Sequence, residues 1–285
     1  MRALGRTAQS VALRNPVQPA LDQGKQAGRS IEELIDLLSM TKRTPRRPFL
    51  FRGMFTSRGF TAATSPIKEN QVQLIGMLDS PYVRRAAISL QLLGLPFEHQ
   101  SISVFSAFDR FREINPLVKA PSLICDDGTV LMDSILITQY AEAFPQKKRS
   151  LLPTDLGELQ RALRIIGLAM TACEKSVQIV YEHKLRPAEK LHEPWLARVS
   201  GQLLEACKAL EEEFVKRPKV VTGVTSATID QATLTTAVAW YFSRQLVADV
   251  VPADRYPALA ALSAAAEKLP EFAAAPYGDG ICNVH

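Results

Sequence analysis

Cysteine is scarce in this chain and shows no pattern. Cys125, Cys173, Cys207 and Cys282 are scattered through 285 residues; no CxxC occurs, and no Cys/His pair has zinc-ligand spacing. A disulfide-stapled miniprotein is thereby excluded, and packed thiols in a reduced, intracellular setting are expected. Long apolar runs are missing as well. With no stretch of about 18 apolar residues, no membrane span or membrane partner is expected. The four histidines, His99, His183, His192 and His285, form no ligand cluster, so no metal is expected. No aromatic interleaving or groove-reading motif accompanies the basic pair Arg84-Arg85, which reads as a solvated or dimer-interface face. Nucleic acid is therefore not an expected partner.

What is present is a globular composition, 47% hydrophobic and 22% charged, with room for one large or two medium domains. Its net charge of +5 is unevenly placed. Residues 1–68 hold 12 basic and 4 acidic residues, a net +8, while the remainder holds 22 and 25, a net −3. Within residues 1–70 one amphipathic face stands out, Ile31, Leu34, Ile35 and Leu38. It is too small to build a core, so the segment is expected to be a largely disordered extension. Three readings of it stay open: an Arg-rich targeting peptide, a basic tail touching an acidic partner, or sequence read from an upstream start codon.

From Gln71 the texture changes. VQLIGML (72–78) is a strand, and Ser80-Pro81 reads as an N-cap and N1 proline opening a helix with Val83, Ala87, Leu90 and Leu93 on one stripe. Gly94 ends it. Further strands are expected over 96–104, 121–125 and 129–132, with a short helix over 107–114 and another opening at Asp133. The order β-α-β-α-β-β-α over 71–145 is a compact α/β unit. After a proline-containing linker, 146–157, residues 158–276 read as an all-helical domain, followed by a tail, 277–285. In its first, long helix Leu159, Leu163, Ile166, Met170, Cys173, Val177 and Val180 have the spacing of one buried face. Thr228 to Gln231 has the form of a Thr-x-x-Gln capping box.

Four segments together carry a family resemblance. GMLDSPYVRRAAISLQLLGLPFE, NPLVKAPSLICDDGTVLMDSILITQYAE, TIDQATLTTAVAWY and RYPALAALSAAAEKLPEF occur in this order and spacing. Over about residues 71–276 the chain resembles the glutathione transferase superfamily, and its Ser-Pro-Tyr opening is most similar to serine-type bacterial and plant-like members. Two positions depart from the pattern: Asp133-Ser134 replaces the commoner Glu-Ser, and Gln231 stands where Asp is usual. The resemblance implies a thioredoxin-like domain followed by a helical bundle, glutathione as co-substrate, an apolar electrophile as second substrate, a homodimer, a detoxifying role and a cytoplasmic setting, or an organellar one if residues 1–70 are a targeting peptide.

The chemistry such a site must perform is ionisation of a thiol whose ordinary pKa is about 8.5. A helix N-terminus offers unpaired N–H groups and a positive dipole end, and a hydroxyl there can donate to sulfur. Ser80 is accordingly the expected thiolate stabiliser. The resemblance further implies that Pro121 is cis and that Ala120 pairs with the cysteinyl backbone. It also implies that Ser134 and Asp133 meet the γ-glutamyl carboxylate and ammonium, and that Lys119 meets the glycine carboxylate. Tyr82, Phe105, Met170 and Tyr181 are candidates for the second-substrate pocket, expected beside the start of the long helix. Other glutathione-dependent chemistry (a reductase, isomerase or lyase) and a non-catalytic binding or scaffold protein remain alternatives on the same fold.

Overall fold

A computed structural model describes residues 72–283, all within one compact unit of the chain. The basic extension, with its three readings, lies outside the described residues, as does the end of the tail. The first layer runs β1 (Gln73–Ile75), α1 (Pro81–Leu93), β2 (Glu98–Gln100), α2 (Phe108–Ile114), β3 (Ser122–Ile124), β4 (Val130–Leu131) and α3 (Ser134–Glu142). The four strands form one sheet in the order β2-β1-β3-β4. β1 is parallel to β2 and antiparallel to β3, and β4 returns antiparallel to β3. Leu74 and Leu123 face each other across β1 and β3 and pack on one side with Val83, Ala87 and Leu90 of α1 and Ile137 and Ala141 of α3. Ile75, Ile102 and Phe111 fill the opposite side. This is a thioredoxin-like domain with a mixed sheet.

The remainder is helical: α4 (Leu156–Lys184), α5 (Glu193–Val215), α6 (Pro218–Thr222), α7 (Gln231–Leu246), α8 (Pro257–Ala266) and α9 (Pro270–Ala273). Its core is built from α4, α5, α7 and α8, around Ile165, Leu203, Phe214, Trp240 and Leu259. With 29 residues, α4 is a rod of roughly 43 Å at 1.5 Å per residue.

Three expectations are corrected here. The long helix buries Ala162, Ile165, Ala169, Ala172, Cys173, Ser176 and Ile179. Of the stripe read from its large apolar residues, only Cys173 is buried; Leu163 is 53% exposed, and Leu159, Ile166, Met170, Val177 and Val180 are half-buried. The small residues win because they let α7 approach closely, and Ser176 Oγ meets Ser243 Oγ of α7 at 2.8 Å. The capping box does not form at 228–231. Asp230 is the N-cap, its carboxylate accepting from Thr233 N–H at 2.7 Å. Gln231 is instead drawn into a buried network with Ser89 and Thr235. Finally, Arg84 and Arg85 are not a solvated face: they are 2% and 3% exposed. Arg84 makes a bidentate pair with Glu267 at 2.7 Å, donates to the Ala275 carbonyl at 2.8 Å and lies over the rings of Tyr241 and Phe272. It ties α1 to the end of the helical layer.

A second tie crosses the sheet edge at His99. Cys282 N–H donates to its Nδ1 at 2.9 Å, so the ring proton sits on Nε2 and donates to the Gly76 carbonyl at 2.8 Å. The imidazole must be neutral to accept the first bond, and burial lowers its pKa below the ordinary 6.5. Because the unfolded histidine takes up a proton first, the full contribution of this tie is present above about pH 6.5 and is lost as pH falls below that value. Thermal stability is expected to decline as pH falls below this value, and His99→Gln to flatten that part of the curve; parallel melts of both proteins across this range check it.

Candidate active site

The turn between β1 and α1 positions the first site residue. Ser80 has extended backbone, φ −73° and ψ 124°, and its Oγ accepts from Val83 N–H at 3.4 Å. Pro81 has no N–H to satisfy. The N–H of Tyr82 is thus the first-turn donor left for a ligand, and the Ser80 hydroxyl proton is likewise uncommitted among the described residues.

Ser80 opens on a cavity of about 520 Å³. Its polar end is formed by Asp79, Ser80, Lys119 and Ala120, and its apolar wall by Tyr82, Phe105, Val177, Tyr181, Phe242 and Tyr277 among others. The Ala120–Pro121 peptide is cis, with Ala120 on the cavity wall and Pro121 buried behind it. The ring of Phe105 meets that of Tyr181 edge to face, centroids 5.9 Å apart at 85°. Both are largely exposed, 59% and 44%, so this pair bridges the loop after β2 to α4 at the cavity mouth.

Burial raises the phenol pKa values of Tyr82, Tyr181 and Tyr277, so all three offer hydrogen-bond donors at neutral pH and none is an ionised base. Asp79, beside Ser80, also has a raised pKa, with desolvation the main cause and backbone N–H hydrogen bonds, that of Ser80 first, opposing it. All four cysteines are buried. The thiols of Cys173, Cys207 and Cys282 are pushed up to about 12 by burial and that of Cys125 is also raised. None lines the cavity.

The sequence-predicted residues divide accordingly. Ser80, Tyr82, Phe105, Lys119, Ala120 and Tyr181 share the cavity. Asp133 does not line the cavity but contacts a residue that does: Lys119 Nζ lies 3.7 Å from Asp133 Oδ2, while Oδ1 caps α3 by accepting from Ile135 N–H at 2.9 Å. Ser134 departs from expectation. It is fully buried, and its Oγ accepts from Arg85 Nη1 at 3.1 Å, so its hydroxyl faces the interior and not the cavity. Met170 departs too, since the cavity meets α4 at Val177 to Leu185, near the end of that helix and not its start. Met170 sits two turns before that stretch.

Tyr277, Lys184 and Val118 are among the contributors that sequence reasoning missed, as are Asp79, Val177 and Phe242. Tyr277 reaches the wall from beyond the last long helix, where no periodicity marks it. Lys184 lies at the end of α4, whereas the pocket was expected beside the start of that helix. Val118 takes φ +48° in the cavity wall, a conformation uncommon for a β-branched residue, with its N–H held by the Asn115 carbonyl at 2.8 Å. Asn115 in turn donates to Ser122 Oγ at 2.8 Å, and Ser122 donates to the Lys119 carbonyl at 2.8 Å, fixing the backbone that presents Lys119 and Ala120.

Gly76 sets the spacing of the whole site. At φ +138° a Cβ here would lie 2.6 Å from Val83 Cγ2 and 3.1 Å from Ala120 Cβ. Gly76→Ala is expected to destabilise the protein by about 2–4 kcal/mol and to push the start of α1 away from Ala120. Urea unfolding together with a glutathione-binding titration checks both effects.

Residues 74–148 match the family model described as the N-terminal domain of glutathione S-transferase. A GST-like protein of Escherichia coli K12, YibF, itself uncharacterized, is 30% identical over 158 residues, 55% of this chain and 77% of its own length. The chain belongs to the glutathione S-transferase superfamily. Two solved structures agree over the helical domain as well. A glutathione transferase family member from Pseudomonas fluorescens Pf-5, solved with bound glutathione, is 26% identical with a TM-score of 0.63, covering 73% of this chain and 100% of that one. A glutathione S-transferase from Methylobacterium radiotolerans, in complex with glutathione sulfonate, is 25% identical with a TM-score of 0.65, covering 75% and 98%. The Pseudomonas fluorescens protein holds glutathione, and the Methylobacterium radiotolerans protein glutathione sulfonate, in a fold that this superfamily member shares. No helix among its described residues is long and apolar enough to cross a membrane.

Proposed function

We propose that this protein is a glutathione transferase that joins the glutathione sulfur to an apolar electrophile. The observation that carries the reading is the shared cavity: Ser80 at a helix start, Lys119 and Ala120 beside it, and an aromatic wall within reach. Its volume of about 520 Å³ falls in the range of small-molecule sites, roughly 300–1,000 Å³. In this reading the Ala120 backbone pairs with the cysteinyl unit as an added strand would. Sulfur then lies at the start of α1, where the Ser80 hydroxyl and the Tyr82 N–H donate to it and the thiolate is favoured over the thiol. The thiol proton leaves to solvent. The thiolate attacks the electrophilic carbon, a C–S bond forms, and the leaving group departs with its bonding pair. Ser80 holds the sulfur throughout and forms no covalent bond. Glutathione also exchanges ion pairs on entry: Asp133 passes from Lys119 to the ligand's ammonium, and Lys119 to the glycine carboxylate.

The second substrate lies against Tyr82, Phe105 and Tyr181, so planar aromatic electrophiles are the expected class. Self-association into a homodimer is proposed on the apolar surface left on α3 and α4, where Ile135, Leu136 and Leu163 are 47%, 53% and 53% exposed. Retention on immobilised glutathione, followed by conjugation of a test aryl halide, checks the function. Binding with turnover is expected. Failure to bind overturns the reading, and binding without turnover on any electrophile of a broad panel assigns the protein a scaffold or other glutathione-dependent role.

A further inference from the structure

One cation on the cavity wall has no ion-pair partner among the described residues. Of the charges along the second half of α4 and just beyond it, Lys175 pairs with Glu174 and Arg186 with Glu182. Lys184 is the last residue of α4 and lines the cavity unpaired. The negative end of the helix dipole accounts for a cation in this turn, but not for its place on the cavity wall. Lys119, the other lysine there, already lies 3.7 Å from Asp133.

Two phenols line the same cavity with their hydroxyls uncommitted among the described residues. Tyr181 stands almost one turn before Lys184 on α4, and its ring meets that of Phe105 edge to face, centroids 5.9 Å apart. Tyr277 comes from the tail, its ring 5.6 Å from that of Tyr241. The tail itself is held where Ser101 Oγ donates to the Asp279 carbonyl at 2.9 Å. Both phenols keep their protons at neutral pH, because burial first and the Asp79 charge second raise their pKa values. Lys184 acts on Asp79 as well, so Tyr181, Tyr277 and Lys184 are gathered around the residue that precedes Ser80.

The balance of these groups favours an acceptor. Asp79 takes backbone N–H bonds, that of Ser80 first, so part of its acceptor capacity is already used. What is left over is an ammonium and two phenol O–H groups, all of them donors. A carboxylate, planar and opposite in charge to Lys184, satisfies them. The same wall includes Val177, Phe242 and Leu246, an apolar surface for the body that carries it. Asp79 and, on the tail, Asp279 oppose such a ligand. A bound carboxylate would also draw a proton onto Asp79, whose pKa burial already raises, and a protonated Asp79 is one donor more.

We propose that the second substrate of this site is an aromatic electrophile bearing a carboxylate, selected by Lys184 with the Tyr181 and Tyr277 hydroxyls beside it. The proposal rests on the conjugation reading and narrows its substrate class. Lys184 decides which electrophile is held and takes no part in forming the C–S bond. It should therefore act on KM for the electrophile and not on KM for glutathione.

Conjugation of para-chloro-meta-nitrobenzoate and of the neutral carboxamide of the same ring tests this, each rate taken relative to its uncatalysed reaction with free glutathione. In both, a C–S bond forms and chloride leaves with the bonding pair. The full chain is expected to show a KM about tenfold lower for the benzoate than for the amide. Lys184→Met should remove that preference by weakening the benzoate alone, with KM for glutathione unchanged, and Lys184→Arg should restore most of it. Asp79→Asn should widen the preference, because it removes an opposing charge. Lys184 stands exposed at a helix end, so its variants are expected to fold, and their melts verify this. A parent protein without the preference, or a folded Lys184→Met protein that keeps it or weakens both halides equally, overturns the proposal. So does a narrower preference in Asp79→Asn. Should neither halide be conjugated, calorimetric titration of both into the full chain decides: tighter binding of the benzoate, abolished by Lys184→Met, upholds this site while the conjugation reading fails, and equal binding overturns the site as well.

Discussion

Glu267→Ala is expected to destabilise the protein by about 3–5 kcal/mol, because it strands the Arg84 charge in the interior. The guanidinium is 2% exposed and both of its terminal nitrogens lie 2.7 Å from the Glu267 carboxylate. With the carboxylate gone, the Ala275 carbonyl and the faces of Tyr241 and Phe272 remain, and none of them carries a compensating charge. The loss should be far smaller when both partners are replaced together, as in Arg84→Met with Glu267→Leu, since an apolar pair of similar size removes the desolvation cost as well. Denaturant unfolding of the two single variants and the double variant measures this. Additive single losses would show that the pair is not coupled. The pair joins α1 to the residues after α8, and α1 carries Ser80 at its head, so the destabilised variant should also bind glutathione less well at temperatures near its melt.

Ser80→Ala is expected to lower kcat about 100-fold with little change in KM for glutathione. The hydroxyl is needed where charge sits on sulfur, and the peptide portions of the ligand are held elsewhere, by Ala120 and the charged groups around Asp133. The fold should be unaffected beyond the loss of an N-cap, a cost of about 1 kcal/mol. The Ser80 Oγ contact to Val83 N–H is long, at 3.4 Å, which places this cap at the weak end. The acid limb of the pH–rate profile, on which the thiolate is lost by protonation, separates the roles: in Ser80→Ala it should move to higher pH, because the bound thiol then ionises closer to its free value of about 8.5. An unchanged profile with reduced kcat would assign Ser80 a part in placing the electrophile.

Local rules made the first layer legible from sequence. Ser80-Pro81 and Gly94 each have one favoured backbone solution, and together with the motif over 115–121 they mark the turns at which Ser80, Lys119 and Ala120 meet in one cavity. What could not be read was decided by packing between distant segments. Large residues at helical spacing marked the wrong face of α4, since the alanines at 162, 169 and 172 give α7 the closer approach. Arg84 and Arg85 read as surface because charge usually is; Glu267 and Ala275 for one, and the three hydroxyls for the other, come from segments about 50 to 190 positions away in the chain. Ser134 was expected to face the ligand on the strength of its place in a motif, and the buried Arg85 turns its hydroxyl inward. Tyr277 carried no local signal, because its place in the wall depends on how the chain returns after α9 to bond at Ser101 and His99.

The central property proposed for this cavity is that it makes glutathione a thiolate at neutral pH. Ultraviolet absorbance of the bound thiolate, titrated against pH in the complex of the full chain with glutathione, measures that directly. The expected band is saturable and titrates well below pH 8.5, and in Ser80→Ala it shifts back toward the free thiol's value of about 8.5. A bound thiol that ionises where free glutathione does would contradict the account.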